Sequence, residues 1–132
     1  MRNIILTVSM MTLFLALAPA SDSAQSKPYT PVKGSTERKA ILDAIRQYRK
    51  APSEVYTPTT FNVGNGFSVV YARDPNDPDV DTGAIDLLLR KTGKVWKVVA
   101  DLMPAEGVSA ETQIKSVRRK YPAAPAELFK EN

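Results

Sequence analysis

The hydrophobic period of this chain switches from helical to alternating near residue 55, and that switch limits the possible folds more than any other feature. Ala40, Ile41, Ala44, Ile45 and Tyr48 recur at helical spacing, with Leu42 beside them. Lys39 and Asp43 lie four apart on the wet side, and Ser35 can cap the start through its hydroxyl. Glu37 suits the positive end of the helix dipole, and Ala51-Pro52 closes the run. The spacing predicts an amphipathic helix over 36–50. Residues 55–63 are rich in Val, Tyr, Thr and Phe, with Pro58 demoting the first half to an edge strand or loop. Gly64-Asn65-Gly66 signals a tight turn, and 67–72 reads as the returning strand. Two more strands, 84–90 and 95–101, flank Lys91-Thr92-Gly93-Lys94. Ser109 caps a second helix over 110–120, ended by Tyr121-Pro122. The tail adds one turn that carries Leu128 and Phe129 back to the core. The order predicts an α+β fold: an N-terminal amphipathic helix packed on a four-stranded antiparallel sheet, with a short C-terminal helix.

The last hairpin allows two registers. A two-residue Thr92-Gly93 turn sets Leu89 against Trp96 and Leu87 against Val98. A three-residue loop with a glycine bulge sets Leu89 against Val95 and Ile85 against Val99. In both, each sheet face carries aliphatic side chains, so the face away from the long helix is either covered by the C-terminal segment or open for binding.

Residues 1–20 read as a secretory signal peptide. Arg2 gives a positive start, an apolar run follows, and Ala18-Pro19-Ala20 is an A-x-A cleavage site. Cleavage after Ala20 is the first choice and Ala24 the second. The run is shorter than the roughly 20 residues that span a bilayer, and no later segment is a transmembrane candidate. The chain divides into this leader, a flexible lead-in over 21–34 with two prolines, and one domain over 35–132. The expected location is periplasmic or secreted.

Composition then removes much chemistry. The chain has no Cys and no His, which excludes a thiolate nucleophile, a Ser-His-Asp triad, an imidazole base and a Cys/His zinc site. Asp, Glu, Lys, Tyr and hydroxyls remain for proton transfer. An exported domain without disulfides is held by packing alone. The net charge of +4 is ordinary, and the dispersed basic residues do not resemble a nucleic-acid footprint.

Four residues stand out as ligand-binding candidates: Asp86, set in an aliphatic strand, with Tyr48, Tyr71 and Trp96. Asp86 in an apolar pocket would have its pKa raised for acid–base work. The simpler expectation pairs it with Lys97, Arg46 or Arg49, and makes Trp96 a core residue. Lys115, Arg118, Arg119 and Lys120 form a basic patch on the second helix, suited to an acidic partner or to the helix's own dipole. The loop 74–82 places Asp77, Asp79 and Asp81 at alternate positions but lacks the glycine and the twelfth-position glutamate of an EF-hand; no metal site and no cofactor are expected.

Gly34-Ser35-Thr36-Glu37-Arg38-Lys39-Ala40-Ile41-Leu42-Asp43-Ala44-Ile45-Arg46, Trp96-Lys97-Val98-Val99 and the tail Tyr121 to Phe129 together resemble a group of small exported bacterial proteins of unassigned activity. In that group a "GSPERKAILDALR"-like helix precedes a strand pair, a "W-x-V-V" strand and a "YGAP-x-x-LF"-like tail. This chain departs from it at Gly66-Phe67-Ser68, where such relatives often carry a Trp-Ala element. The element order is also similar to cystatin-like and nuclear-transport-factor-2-like folds, which host enzymes, binders and inhibitors alike. The resemblance implies periplasmic residence. The sequence therefore points to a small exported binding or interaction protein, with an unidentified protein or envelope partner and no evident catalytic machinery. The alternative is a small-molecule or lyase-type pocket between helix and sheet, using Asp86 and either Tyr48 or Tyr71. A purely structural role in the envelope is a third reading.

Overall fold

The computed structural model describes residues 27–73 and 84–132. The leader, both cleavage positions, the first part of the lead-in and the acidic loop 74–82 lie outside the described residues.

Helix α1 spans Thr36–Arg49. Its start is fixed as the sequence predicts: the Arg38 N–H donates to Ser35 Oγ at 3.2 Å. Its end is one residue earlier than expected. Lys50 turns left-handed (φ 55°), and the Ala51 N–H reaches back to the Arg46 carbonyl at 3.0 Å. Ile41 and Ile45 are fully buried.

Four strands follow as an antiparallel meander in the spatial order β1-β2-β3-β4: β1 Thr57–Gly64, β2 Phe67–Arg73, β3 Ile85–Thr92 and β4 Val95–Asp101. The first strand starts at Thr57 and not Val55, and its pairing slips between Pro58 and Thr60. Proline cannot donate to a ladder, so β1 tolerates it only as an edge strand. Gly64 pairs with Phe67 around Asn65-Gly66, both at positive φ (50° and 75°), which is the type I′ turn that Asn-Gly favours.

The packed part of the chain begins before Ser35. Tyr29 bridges Val63 through two backbone hydrogen bonds of 2.8 and 2.9 Å, and its hydroxyl donates to Glu37 Oε2. The end of the lead-in thus covers part of the open edge of β1.

Neither expected register of the last hairpin occurs. Thr92 pairs with Val95, so the turn residues are Gly93-Lys94, and Gly93 alone has positive φ (62°), as a II′ turn requires. Lys91 opposes Trp96 and Leu89 opposes Val98; then the ladder slips, and Leu88 opposes Ala100. The inserted residue is Val99. Strict alternation fails here because Val99 and Ala100, adjacent in sequence, both turn to the same face.

The sheet is packed on both faces. On one, Ile41 and Ile45 of α1 meet Val70, Leu87, Leu89 and Trp96. On the other, Val69, Leu88 and Leu102 lie under Val117, Leu128 and Phe129. These last come from α2, Ala110–Lys120, and from one turn of 3-10 helix, Ala126–Phe129. The second face is therefore core, covered by the C-terminal segment. Each fully buried Leu or Ile adds about 1.5–3 kcal/mol by leaving water.

Candidate functional site

The four ligand-binding candidates separate into two pairs on opposite faces of the sheet. Tyr71 opposes Asp86 directly across β2 and β3, on the face covered by α2. Trp96 belongs to the core under α1, and Tyr48 lies on α1 itself. Asp86 thus shares a face with Tyr71, and it meets Tyr48 and Arg49 of α1 only in a small hollow at the end of the sheet. Strand alternation puts it on the same side as Leu88.

Its expected partners are corrected. Lys97 opposes Arg90, and Arg49 holds Glu54 through two hydrogen bonds of 2.9 and 3.1 Å. Arg46 is taken up by Asp43 and the Glu54 carbonyl. Asp86 pairs instead with Arg73, at 3.6 Å, a distance that leaves Oδ1 without a hydrogen bond among the described residues. Burial pushes the Asp86 carboxyl above its ordinary range. Arg73 opposes that shift, while Asp101 and Glu131 add to it. Burial, with the Asp86 charge second, pushes Tyr71 up to about 12.

Asp86, Tyr71, Arg73, Thr59 and Glu131 line a notch of about 100 Å³, with Leu102 and Ile114 on its wall. Ligand pockets are generally about 300–1,000 Å³. The notch admits water or a small ion and no metabolite. A second hollow of about 170 Å³ touches Tyr48, Asp86 and Asp101 at the end of the sheet. Among the described residues no group of three acidic side chains is placed to hold a metal ion.

The larger opening belongs to the other pair. A groove of about 250 Å³ runs between α1 and β4, lined by Ala44, Gln47 and Tyr48 above and Trp96, Lys97 and Val98 below. Tyr48 is 53% exposed, whereas Trp96 is buried and forms the floor. Lys91 Nζ stands 5.9 Å from the centre of the Trp96 ring. The groove joins an aromatic wall, an aromatic floor and an edge strand.

A wider depression of about 460 Å³ lies over the first half of α1, beside Val55 and Tyr56. Three of the four cations that line it are already engaged, Lys33 being the exception among the described residues. Arg38 donates to the Pro31 carbonyl and stacks on Phe61, and Lys39 and Arg46 both pair with Asp43. The basic patch of the second helix is exposed throughout: Lys115 pairs with Glu111 at 2.8 Å, and Arg118, Arg119 and Lys120 occupy the last turn, where they complement the helix dipole.

Two features escape sequence reasoning. Asn62, buried in β1, donates from Nδ2 to the carbonyls of both Leu128 and Lys130 at 3.1 Å, and accepts from Asn132. Its partners lie more than sixty residues away, and no local signal announces them. The Val99 bulge was equally hidden, although it decides which backbone groups of β4 face outward. Among the described residues no helix is long and apolar enough to cross a membrane. No protein-family model matches the chain, and no curated protein or solved structure matches it.

Proposed function

We propose that this chain is an exported binding module that engages a protein partner of the cell envelope through the groove between α1 and β4. The observation that carries the reading is the contrast between interior and edge. Both sheet faces are filled by side chains, while Tyr48, Trp96 and Val98 line an opening beside an edge strand. A filled interior with an apolar groove at its margin suits recognition of a macromolecule better than turnover of a small substrate. Export rests on the leader over residues 1–20, and it places the partner in the periplasm or outside the cell. The notch at Asp86 offers less, because its volume is far below that of a ligand site.

The test is site-specific photo-crosslinking in cells. A benzophenone side chain is placed at Tyr48 and, as a control, at Glu111 on the opposite side of the molecule. The expected outcome is a discrete adduct, identified by mass spectrometry, from position 48 alone. Equal adducts from both positions, or none from Tyr48, would sink the reading.

A further inference from the structure

The outer edge of β4 is open over only part of its length. In the β3–β4 hairpin the residues flanking the two-residue turn, Thr92 and Val95, exchange hydrogen bonds. Antiparallel alternation then turns the backbone of Val95 and Lys97 inward and that of Trp96 and Val98 outward. Beyond the bulge the outward carbonyls are occupied. Tyr121 Oη donates to the Val99 carbonyl at 3.1 Å, and Gln113 Nε2 donates to the Asp101 carbonyl at 3.0 Å. No described side chain does the same for Trp96 or Val98. The open stretch lies directly beneath the groove whose wall is Ala44 and Tyr48.

The charges at the hairpin end of this edge are of one sign. Arg90, Lys91, Lys94 and Lys97 surround the hairpin, no acidic residue lies between Asp86 and Asp101, and none of the four cations forms an ion pair among the described residues. Lys97 shares the face of Arg90, opposite to that of Trp96. A strand laid against β4 would meet Trp96, Val98 and the wall of α1 on one side, where Lys91 also stands over the Trp96 ring, and Lys97 on the other. A second copy of the chain fits poorly, because two-fold antiparallel pairing of β4 through Trp96 and Val98 would set Lys97 against its own counterpart.

We infer that the groove is a strand-addition site for an extended segment of a partner protein in which acidic and apolar residues alternate. The main chain of that segment pairs with Trp96 and Val98, its apolar side chains enter the groove beside Tyr48, and its carboxylates face Lys97. The inference rests on the groove being the binding surface, and it adds the mode and chemistry of binding.

The probe is a synthetic Glu-Val-Glu-Val-Glu-Val-Glu peptide, added to the mature protein and followed by amide NMR and hydrogen exchange. Expected are slowed exchange at the Trp96 and Val98 amides and loss of binding when alternate peptide nitrogens are methylated. Lys97→Glu, at an exposed position, should weaken binding about five- to tenfold, since a cross-strand attraction becomes a repulsion. A Lys-Val peptide of the same length should not bind.

Four results would overturn the inference: no binding at millimolar peptide, shifts confined to other surfaces, equal binding of the Lys-Val peptide, or Trp96 and Val98 amides already protected in a concentration-dependent way without peptide. The last identifies a second copy as the occupant. If crosslinking at Tyr48 still captures one partner while these amides stay unprotected, the groove remains the binding surface and strand addition fails alone.

Discussion

Tyr71 and Asp86 face one another across β2 and β3, with the Asp86 carboxylate paired to Arg73 at 3.6 Å and Oδ1 lacking a hydrogen bond among the described residues. A half-buried carboxyl held this loosely is costly to ionise, and its pKa is raised chiefly by burial.

The pH dependence follows from that sign. A carboxyl whose folded pKa exceeds its unfolded value stabilises the fold fully below the unfolded value, near 3.8, and loses that contribution as pH rises through the folded value. Asp86→Asn should therefore match the parent near pH 3.5 and become relatively more stable as pH rises, up to a plateau. Urea midpoints of the two proteins between pH 3.5 and 7 check this. A constant difference across that range contradicts it.

Glu54 behaves in the opposite sense. Arg49 holds its carboxyl below the ordinary value, and the Tyr56 hydroxyl donates to it at 2.7 Å. Its contribution is present above the unfolded pKa, near 4.5, and disappears as pH falls through the folded value. Glu54→Gln should cost about 1 kcal/mol at pH 7, given the partial exposure of the pair, and less at pH 3. Thermal unfolding at the two pH values measures the difference.

Asn62 joins β1 to the C-terminal tail. Asn62→Ala removes the donor to two carbonyls, one of them buried, and should destabilise by about 1–3 kcal/mol. It should also release residues near Lys130 first. Carboxypeptidase trimming under native conditions, faster in the variant, is the sign to look for; unchanged trimming would show that the tail is held by Leu128 and Phe129 alone.

Ser68 is fully buried on the α1 face, opposite Val63 and Leu89, and its hydroxyl has no partner among the described residues. Ser68→Ala should raise stability or leave it unchanged, in contrast to Leu89→Ala beside it, which should cost about 2–5 kcal/mol. Guanidinium titrations of both variants give the comparison.

The expectation of a leader over residues 1–20 predicts a mature chain that starts at Ser21, or at Gln25 for cleavage after Ala24. Intact mass of the protein recovered from the envelope fraction determines the first residue. A chain retaining Met1 removes the basis for an exported role.

Local signals in the sequence were enough for the elements themselves. Ser35 and Ser109 cap the two helices, the Ile41–Ile45 spacing selects the buried stripe of α1, and Asn65-Gly66 fixes the first hairpin. Each depends on side chains within a few residues of the position they specify, so a reading along the chain finds them. The second hairpin was not legible in the same way. Thr92-Gly93-Lys94 fits several turns, and the choice fell to packing: the Val99 bulge lets Trp96 and Val98 meet α1 while Val99 and Ala100 meet the C-terminal segment. The partner of Asp86, the clamp at Asn62 and the open backbone at Trp96 were likewise set by residues distant in sequence. Composition and period determined which elements form, because those depend on near neighbours. Only the tertiary structure decided which groups remain free at the edge of β4, because hydrogen bonds across strands are assigned by register, and register is fixed by both faces of the sheet at once.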